Sequence, residues 1–331
     1  MKARCGFISH LGPFVARYLA LKEALGRKYC NERAALTHLD RFLVTQPTAG
    51  DDLTAQTFAQ WCATLSHLTP TVRRSRMRIV RNLCLYRQRT EPHCFVPDPA
   101  LFPRPHAPRH PYFFSEQDMV RLLHHAKDLG PTSNSPLRAG VYRLALVLLY
   151  TAGLRRGELV RLTLADYDAA EHTLRIRATK FHKSRLVPLS RDATHEMDVY
   201  LEARRRLPHG PDAPLLCSYC QGVRHFTGAG VAQGLRQLFQ CAGVRTDSGQ
   251  LPRIHDLRHS FALHALLRWY RAGIDVQAKL PALAIYMGHV SIVSTQHYLG
   301  FIEPLAQAAS TLFDRHCASM FAASSTAGSA R

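Results

Sequence analysis

The sequence predicts a mainly α-helical protein of two domains, with a small antiparallel β-sheet in the second. Three observations carry this prediction. A proline-rich stretch at residues 95–114 divides the chain, and its prolines disfavour helix and favour an extended backbone. Apolar residues recur at helical spacing on both sides of it. Between residues 173 and 189 the spacing becomes that of strands. The predicted parts are therefore a domain at 1–94, a linker at 95–114, a domain at 115–316 and a disordered tail at 317–331.

The first domain is predicted to contain four helices. Their apolar positions span residues 14–25, 34–44, 58–65 and 72–85. The last of these helices carries five arginines beside its apolar stripe, and no acidic residue interrupts the run. We expect this face to contact DNA phosphates, whereas a simply solvated helix face is the alternative. The five predicted DNA-binding residues are Arg73, Arg74, Arg76, Arg78 and Arg81.

The second domain opens with Ser115 and Asp118 in the pattern of a capping box, which predicts a helix through Ala126. Two strands of a hairpin follow a second, mostly buried helix, at residues 173–178 and 185–189. Further helices are predicted from the apolar spacing. They span residues 141–151, 192–207, 231–242, 255–271, 281–287, 294–298 and 304–313.

The charge balance favours a polyanionic partner. The chain has 43 Lys and Arg against 24 Asp and Glu, a formal net charge of +19. Arginine supplies most of these cations, and its planar guanidinium suits bidentate contacts to phosphate. Nucleic acid is the first candidate partner, while the amino-acid bias of a GC-rich genome is an alternative cause. No apolar run is long enough to cross a bilayer, and nine scattered cysteines suggest free thiols in a reducing cytoplasm.

Three segments of the second domain concentrate side chains that suit a phosphate group. They read TAGLRRGEL at 151–159, IHDLRHSF at 254–261 and YMGHVSIVSTQHYLG at 286–300. In the second segment His255 and Arg258 are three residues apart, which places both on one face of a helix. Each segment alone is weak evidence for a site. The chain has no GxxxxGK[ST], HExxH or GxSxG pattern, which removes the commonest nucleotide-binding, zinc-protease and serine-hydrolase readings.

In this order, the three segments resemble the catalytic domain of the tyrosine recombinases, the phage integrase family. The family's box TGLRxxEL is matched at 151–159 apart from the inserted Ala152, and HxLRH is matched at 255–259. The box LGHxxxxxTxxY is matched at 287–298 with Met287 in place of Leu. A lysine-bearing hairpin that runs into VPL stands between the first two boxes, here as TKFHKSRLVPL. The resemblance covers most of residues 115–315.

The resemblance implies a catalytic role for each matched side chain, without a metal or other cofactor. Tyr298 would attack the scissile phosphate and form a 3′-phosphotyrosyl bond, and His255 is the candidate for transfer of its proton. Arg155 and Arg258 would hold the non-bridging oxygens, and His289 would hydrogen-bond the phosphate.

Lys180 would protonate the leaving 5′-oxygen, with Lys183 as its rival in the same turn. Arg156 is likewise a rival of Arg155, although the family's arginine directly follows the Gly-Leu pair. The ester to tyrosine would conserve the energy of the broken bond, so that rejoining would need no ATP.

The resemblance further implies a two-domain DNA clamp, with the domain at 1–94 binding core DNA and the domain at 115–316 carrying catalysis. The function expected is site-specific recombination of double-stranded DNA, for integration, excision or transposition of a mobile element or phage. The assembly expected is a homotetramer on two DNA sites in the cytoplasm, at the nucleoid, with helper recombinases an open question. The helix at 304–313 would pack in a neighbouring subunit or on its own domain. A relaxing topoisomerase and a non-catalytic DNA-binding protein on the same fold are the alternatives.

Overall fold

A computed structural model describes residues 6–27, 29–45, 52–105, 109–177, 184–208, 210–219, 222–289, 291–296 and 298. The chain divides into two compact units, with the boundary between Arg109 and His110, inside the predicted linker. Most elements are helices, and the two sheets are small and antiparallel, as the predicted fold class requires.

The first unit contains four helices that enclose one hydrophobic core. They are α1 (Gly12–Ala24), α2 (Cys30–Val44), α3 (Ala55–Ala63) and α4 (Pro70–Arg87). Trp61 and Val80 are fully buried between them, together with Leu36. All four predicted helices are present, and α1, α2, α3 and α4 each begin two to four residues earlier than the apolar spacing indicated.

The proline-rich stretch is held against the first unit rather than being free of contacts. Phe102 is buried in the core of this unit, and the carbonyl of Pro97 accepts a hydrogen bond from Arg81. A single 3-10 turn spans Pro99–Leu101, so the prediction of a wholly extended stretch is wrong there. The turn forms because the Asp98 carboxylate caps it and proline is tolerated at the first helical position.

The second unit is built around α6 (Arg138–Thr151), which packs against α5 (Glu116–Lys127), α8 (Arg191–Arg204), α9 (Gly228–Cys241) and α10 (Ile254–Arg271). The predicted capping box of α5 is confirmed, because Ser115 and Asp118 hydrogen-bond each other's backbone amides. Short helices α7 (Arg156–Leu159) and α12 (Val293–Gln296) and the longer α11 (Val276–Met287) complete the helical part. Among the described residues, no helix is both long and apolar enough to cross a membrane.

The predicted hairpin forms the larger sheet. Strand β1 (Tyr167–Asp168) pairs with β2 (Thr173–Ile176), which pairs with β3 (Arg185–Pro188) in a register that sets Ile176 opposite Arg185. A second hairpin of β4 (Cys217–Tyr219) and β5 (Val223–His225) was not predicted, because each strand is only three residues long. The sheet's inward residues Leu174 and Val187 join the core around α6.

The helix before the third sequence segment is longer than predicted. α11 starts at Val276, five residues before Pro281, where the prediction placed its start. The carboxylate of Asp275 caps the helix by accepting from the amides of Gln277 and Ala278, which favours an earlier start. The helix ends at Met287 and is capped by Gly288, whose φ of +68° reverses the backbone directly before His289. The predicted helix at 304–313 and the tail at 317–331 lie outside the described residues.

Candidate active site

The turn after α6 places Arg155. Gly153 has a φ of +58°, and a Cβ there would come 2.5 Å from the ring of Phe261, so the turn requires glycine. The backbone amide of Arg155 donates to Glu158 (2.9 Å), and its guanidinium donates to the same carboxylate (2.7 Å). About a third of the Arg155 side chain, 32%, remains exposed. This cation is therefore anchored and still open to an anion from solvent.

Arg258 lies near the start of α10 and is 1% exposed. It donates to the carbonyl of Gly153 (2.5 Å) and to the carbonyl of Met287 (2.6 Å). Burial, with the charge of Arg155 beside it, lowers the pKa of Arg258 to about 10. The group stays positively charged at neutral pH, so a buried cation faces the same region as Arg155.

Three arginines converge on the last turn of α11. The successive carbonyls of Tyr286, Met287 and Gly288 accept from Arg185 (2.7 Å), Arg258 (2.6 Å) and Arg155 (2.7 Å), respectively. We call these three carbonyls the carbonyl trio. Cations are favourable here because the carboxyl end of a helix carries partial negative charge and unpaired carbonyls. The trio thus fixes guanidinium groups from three separate segments in one place.

Glu158 joins two of these arginines. It is 3% exposed, and both of its oxygens accept from Arg185, at 2.9 and 3.0 Å. Burial alone would raise its pKa, but hydrogen bonds from Arg185 and from the Arg155 backbone outweigh it and hold the pKa at about 2. Three guanidinium groups and one carboxylate leave this cluster a net charge of +2. Such an excess suits a phosphate.

Tyr298 lies beside this cluster and is 3% exposed. Its hydroxyl is 3.1 Å from Nδ1 of His259, and its ring is stacked parallel to His289 at 6.3 Å between centroids. Burial raises the pKa of Tyr298, although the charges of Arg258 and Arg155 act in the opposite direction. The phenol is close enough to these cations to interact with both of them electrostatically.

Two further histidines complete the cluster. Nδ1 of His289 is 2.8 Å from the hydroxyl of Thr295, and the ring of His255 meets that of His259 edge-on at 4.6 Å. Burial and the charge of Arg258 lower the pKa of both His255 and His289 to about 4, although His255 keeps an exposed surface. Both imidazoles are therefore neutral at physiological pH and can accept a proton or a hydrogen bond.

Of the six predicted catalytic residues, five are described and lie together. The sixth, Lys180, and its rival Lys183 lie outside the described residues. The rival arginine, Arg156, is exposed and lies beside Gly228 at the start of α9, whereas Arg155 binds the carbonyl trio. Among the described residues, no group of three or more His, Cys, Asp or Glu is placed to hold a metal ion.

Two members of the site were missed by the sequence reasoning. His259 stands inside the quoted segment HDLRH, and its four-residue spacing from His255 was a usable signal for a shared helix face. Arg185 gave no such signal, because its partners Glu158 and Tyr286 are far away in sequence. His259 contacts Tyr298 directly, and Arg185 is joined to Arg155 through their shared partner Glu158.

Part of the arginine-rich face of α4 bonds to the proline-rich stretch. Arg74 and Arg81 donate to backbone carbonyls of the proline-rich stretch, at Pro103 and Pro97. Arg78 is exposed, and Arg73 and Arg76 are half-buried. Two of the five predicted DNA-binding side chains therefore hold the linker to α4.

Comparisons with known proteins identify the family. The profile of the phage integrase family matches residues 112–301. The Sinorhizobium fredii protein y4rB, named as an integrase/recombinase, is 35% identical over 290 residues, which is 86% of this chain and 91% of y4rB. A second such protein of that organism, y4rE, is 32% identical over 315 residues, which is 93% of this chain and 97% of y4rE. Tyrosine recombinase XerC of Chromobacterium violaceum is 35% identical over 156 residues, about half of each chain (47% and 46%).

Solved structures share the fold. The Tn1549 transposon integrase, solved with transposon right end DNA, aligns with a TM-score of 0.62 at 16% identity, covering 91% of this chain and 98% of its own. A lambda integrase dimer bound to a core site aligns with a TM-score of 0.59 at 16% identity, covering 86% and 94%.

Proposed function

Because this chain belongs to the phage integrase family and is a site-specific tyrosine recombinase, we propose that it cuts and rejoins double-stranded DNA through a covalent 3′-phosphotyrosyl link to Tyr298. The observation that carries the assignment of this residue is its position. A buried phenol lies beside a cluster with a net positive charge, formed by Arg155, Arg185, Arg258 and Glu158. A tyrosine with only a packing role would need no such neighbours.

In the proposed reaction, Arg155 and Arg258 bind the two non-bridging oxygens of the scissile phosphate. The negative charge on these oxygens grows in the pentacoordinate transition state, and cations fixed in advance lower its energy without reorganisation. Arg155 donates to Gly288 and Glu158, and Arg258 donates to Met287 and Gly153. Because a guanidinium has five N–H groups, each of these two arginines keeps further donors for the phosphate. His289 and His255, both neutral, complete the lining of the phosphate site.

The leaving 5′-oxygen requires a proton, and Lys180 is the group that we propose for it. Strand β3 begins at Arg185, five residues after Lys180 in the sequence, and the side chain of Arg185 is part of the arginine cluster. Lys183, in the same turn, remains the rival. Rejoining reverses each step, with the 5′-hydroxyl of the same or another strand attacking the phosphotyrosyl bond.

For the cellular role, we propose integration and excision of a mobile element rather than resolution of chromosome dimers. The support is that the integrase/recombinase relatives y4rB and y4rE align over nearly their whole length, whereas the XerC relative aligns over about half. The enzyme would act in the cytoplasm on nucleoid DNA, as a homotetramer on two DNA sites, with or without helper recombinases.

For DNA contact by the first unit, we propose Arg73, Arg76 and Arg78 of α4. The remaining two arginines of the predicted set, Arg74 and Arg81, already donate to linker carbonyls. Replacing one of these three arginines with a neutral residue removes a contact to a phosphate. It should weaken DNA binding to a similar extent at every DNA sequence, because phosphate contacts carry no sequence information.

The test is covalent trapping on a nicked substrate built from the DNA that flanks the gene. After cleavage next to the nick, the short 5′-hydroxyl fragment diffuses away and the protein–DNA adduct accumulates. The wild-type chain should form a protease-sensitive adduct and Tyr298→Phe should form none. Tyr219→Phe, at the exposed last residue of strand β4, is the matched control and should react at the wild-type rate. An adduct formed by Tyr298→Phe would refute the assignment.

A second assay separates recombination from simple relaxation, which uses the same chemistry. On a supercoiled plasmid with two copies of the flanking site, the recombinase should exchange strands between the sites. Relaxation without exchange would indicate a topoisomerase, and binding without any adduct would indicate a non-catalytic protein.

A further inference from the structure

The hydroxyl of Tyr298 does not contact the histidine predicted to take its proton. Its partner is Nδ1 of His259, at 3.1 Å, and the two rings lie 5.3 Å apart between centroids. His255 reaches this pair through His259, whose ring it meets edge-on at 4.6 Å. His255 and His259 are four residues apart on α10, so both project from the same face, with His259 one turn further along the helix.

A buried phenol is a poor nucleophile until it loses its proton. Tyr298 is 3% exposed, so water has little access to its hydroxyl, and burial disfavours the phenolate. A proton acceptor must therefore come from the protein and must lie within hydrogen-bond reach. Among the contacts of the described residues, Nδ1 of His259 meets this distance, and it accepts from the hydroxyl in the tautomer that leaves this nitrogen unprotonated.

We propose that His259 is the catalytic base for Tyr298, a role that rests on the proposed function of Tyr298 as the nucleophile. As the phenolic oxygen forms its bond to phosphorus, its O–H bond breaks and the proton forms a bond to Nδ1 of His259. The electron pair of the O–H bond stays on the tyrosine oxygen and becomes available for the P–O bond. In the same displacement the P–O bond to the leaving 5′-oxygen breaks, and that oxygen takes its proton from the group proposed above.

On rejoining, the steps reverse. The phosphotyrosyl bond breaks, and the imidazolium of His259 returns its proton to the departing phenolate. With His259 as the base, His255 is available to line the phosphate site. It lies one turn before His259 on the same face of α10, and Arg258 and Arg155 are close enough to act on its charge. Its neutral ring also lies edge-on to His259, where a second cation would be unfavourable during the proton transfer.

The test exploits the geometry of asparagine. In His259→Asn an amide oxygen or nitrogen can take the place of Nδ1, so the hydrogen bond to Tyr298 can persist, but the amide cannot accept a proton. On the nicked substrate, single-turnover adduct formation should fall by about 100-fold or more, as expected for loss of a general base. DNA binding and the melting temperature should stay close to those of the wild-type chain. A rate within about threefold of wild type would overturn the proposal, since a base cannot be so dispensable.

A fluorinated tyrosine at position 298 separates proton removal from positioning. Its phenol ionises at lower pH, so it depends less on a base. It should restore part of the lost rate in His259→Asn and should restore none in Arg258→Lys, whose defect lies in holding the phosphate. If both variants respond equally, His259 only positions the ring.

A third measurement uses the wild-type protein, so it does not depend on whether a His259 variant folds. In the resting wild-type protein labelled with 15N-histidine, Nδ1 of His259 should show the chemical shift of an unprotonated, hydrogen-bond-accepting nitrogen. Tyr298→Phe assigns the signal, because it removes that hydrogen bond. A protonated Nδ1 would overturn the proposal. Failure of the proposed function is a separate result: it would appear as an adduct in Tyr298→Phe, whatever His259→Asn does.

Discussion

Replacing Glu158 by glutamine tests whether the arginine cluster depends on one buried carboxylate. Glu158→Gln preserves the size of the side chain and removes its charge. Arg185 and Arg155 then lose their counter-ion, and an amide cannot accept through both of its ends, so at least one hydrogen bond from Arg185 is lost. The substitution should therefore destabilise the second unit.

The magnitude follows from the pKa. The folded protein lowers the pKa of Glu158 from 4.5 to about 2, and each pKa unit corresponds to about 1.36 kcal/mol. The ionised carboxylate thus contributes about 3 kcal/mol to the free energy of unfolding. Because the folded pKa is depressed, this contribution is complete above pH 4.5 and is lost as the pH falls towards 2. At pH 7 the substitution removes all of it.

Hydrogen exchange of the buried amides in α6 is the suitable assay, because these amides report the opening of the second unit alone. A loss of about 3 kcal/mol should accelerate their exchange about 100-fold. Glu202→Gln is the matched control, since Glu202 and Arg205 form a pair that is more than two-thirds exposed. Such exposed ion pairs contribute about 0–1 kcal/mol to the free energy of unfolding. An acceleration below about fivefold in Glu158→Gln, or an equal effect of both substitutions, would refute the reasoning.

Three further substitutions test the neighbouring parts of the site. Arg258→Lys retains a charge, but its single ammonium lacks the planar fork of donors that spans the Gly153 and Met287 carbonyls and a phosphate, so adduct formation should fall about 100- to 1,000-fold on the nicked substrate while DNA affinity changes little. A near-normal rate would exclude a bidentate role. Gly288→Ala forces a positive φ on alanine and brings Cβ to 2.8 Å from Arg185, so thermal unfolding should show a loss of about 1–3 kcal/mol, and Gly130→Ala, in open space, should show none. His289→Gln should reduce the loss of stability at acid pH. In the wild type the folded pKa of His289, about 4, lies below the ordinary 6.5, so the contribution of the neutral imidazole to the free energy of unfolding is complete above pH 6.5. As the pH falls towards 4, that free energy should decrease by up to about 3 kcal/mol. Denaturant titrations at pH 7 and pH 4.5 measure this difference. An equal loss in free energy of unfolding between the two pH values in the wild type and in His289→Gln would contradict the prediction.

The sequence was most informative where function-bearing residues lie within one element. The spacing of His255 and Arg258 placed both on one helix face, and the cap at Ser115 was visible because its partner is three residues away. The hairpin at 173–189 was predicted for the same reason, since alternation is a local property.

Contacts between segments could not be predicted in this way. The pairing of Glu158 with Arg185 depends on how α7 and β3 meet, and nothing local to either residue specifies it. The start of α11 was misplaced because Pro281 suggested a first helical residue, whereas the helix tolerates it inside and Asp275 sets the start. The contact of Tyr298 with His259 rather than His255 is a difference of one helical turn, which a spacing rule cannot resolve.

The burial of Tyr298 has a consequence for the safety of the host chromosome. A genome presents millions of phosphodiester bonds, and almost all of them are wrong targets. If Tyr298 is the nucleophile, as proposed, its covered hydroxyl offers no reactive oxygen to a bond that the resting chain meets by accident. In the proposed reaction, scission would wait for a rearrangement that uncovers the phenol to DNA, so random encounters would leave the DNA backbone intact.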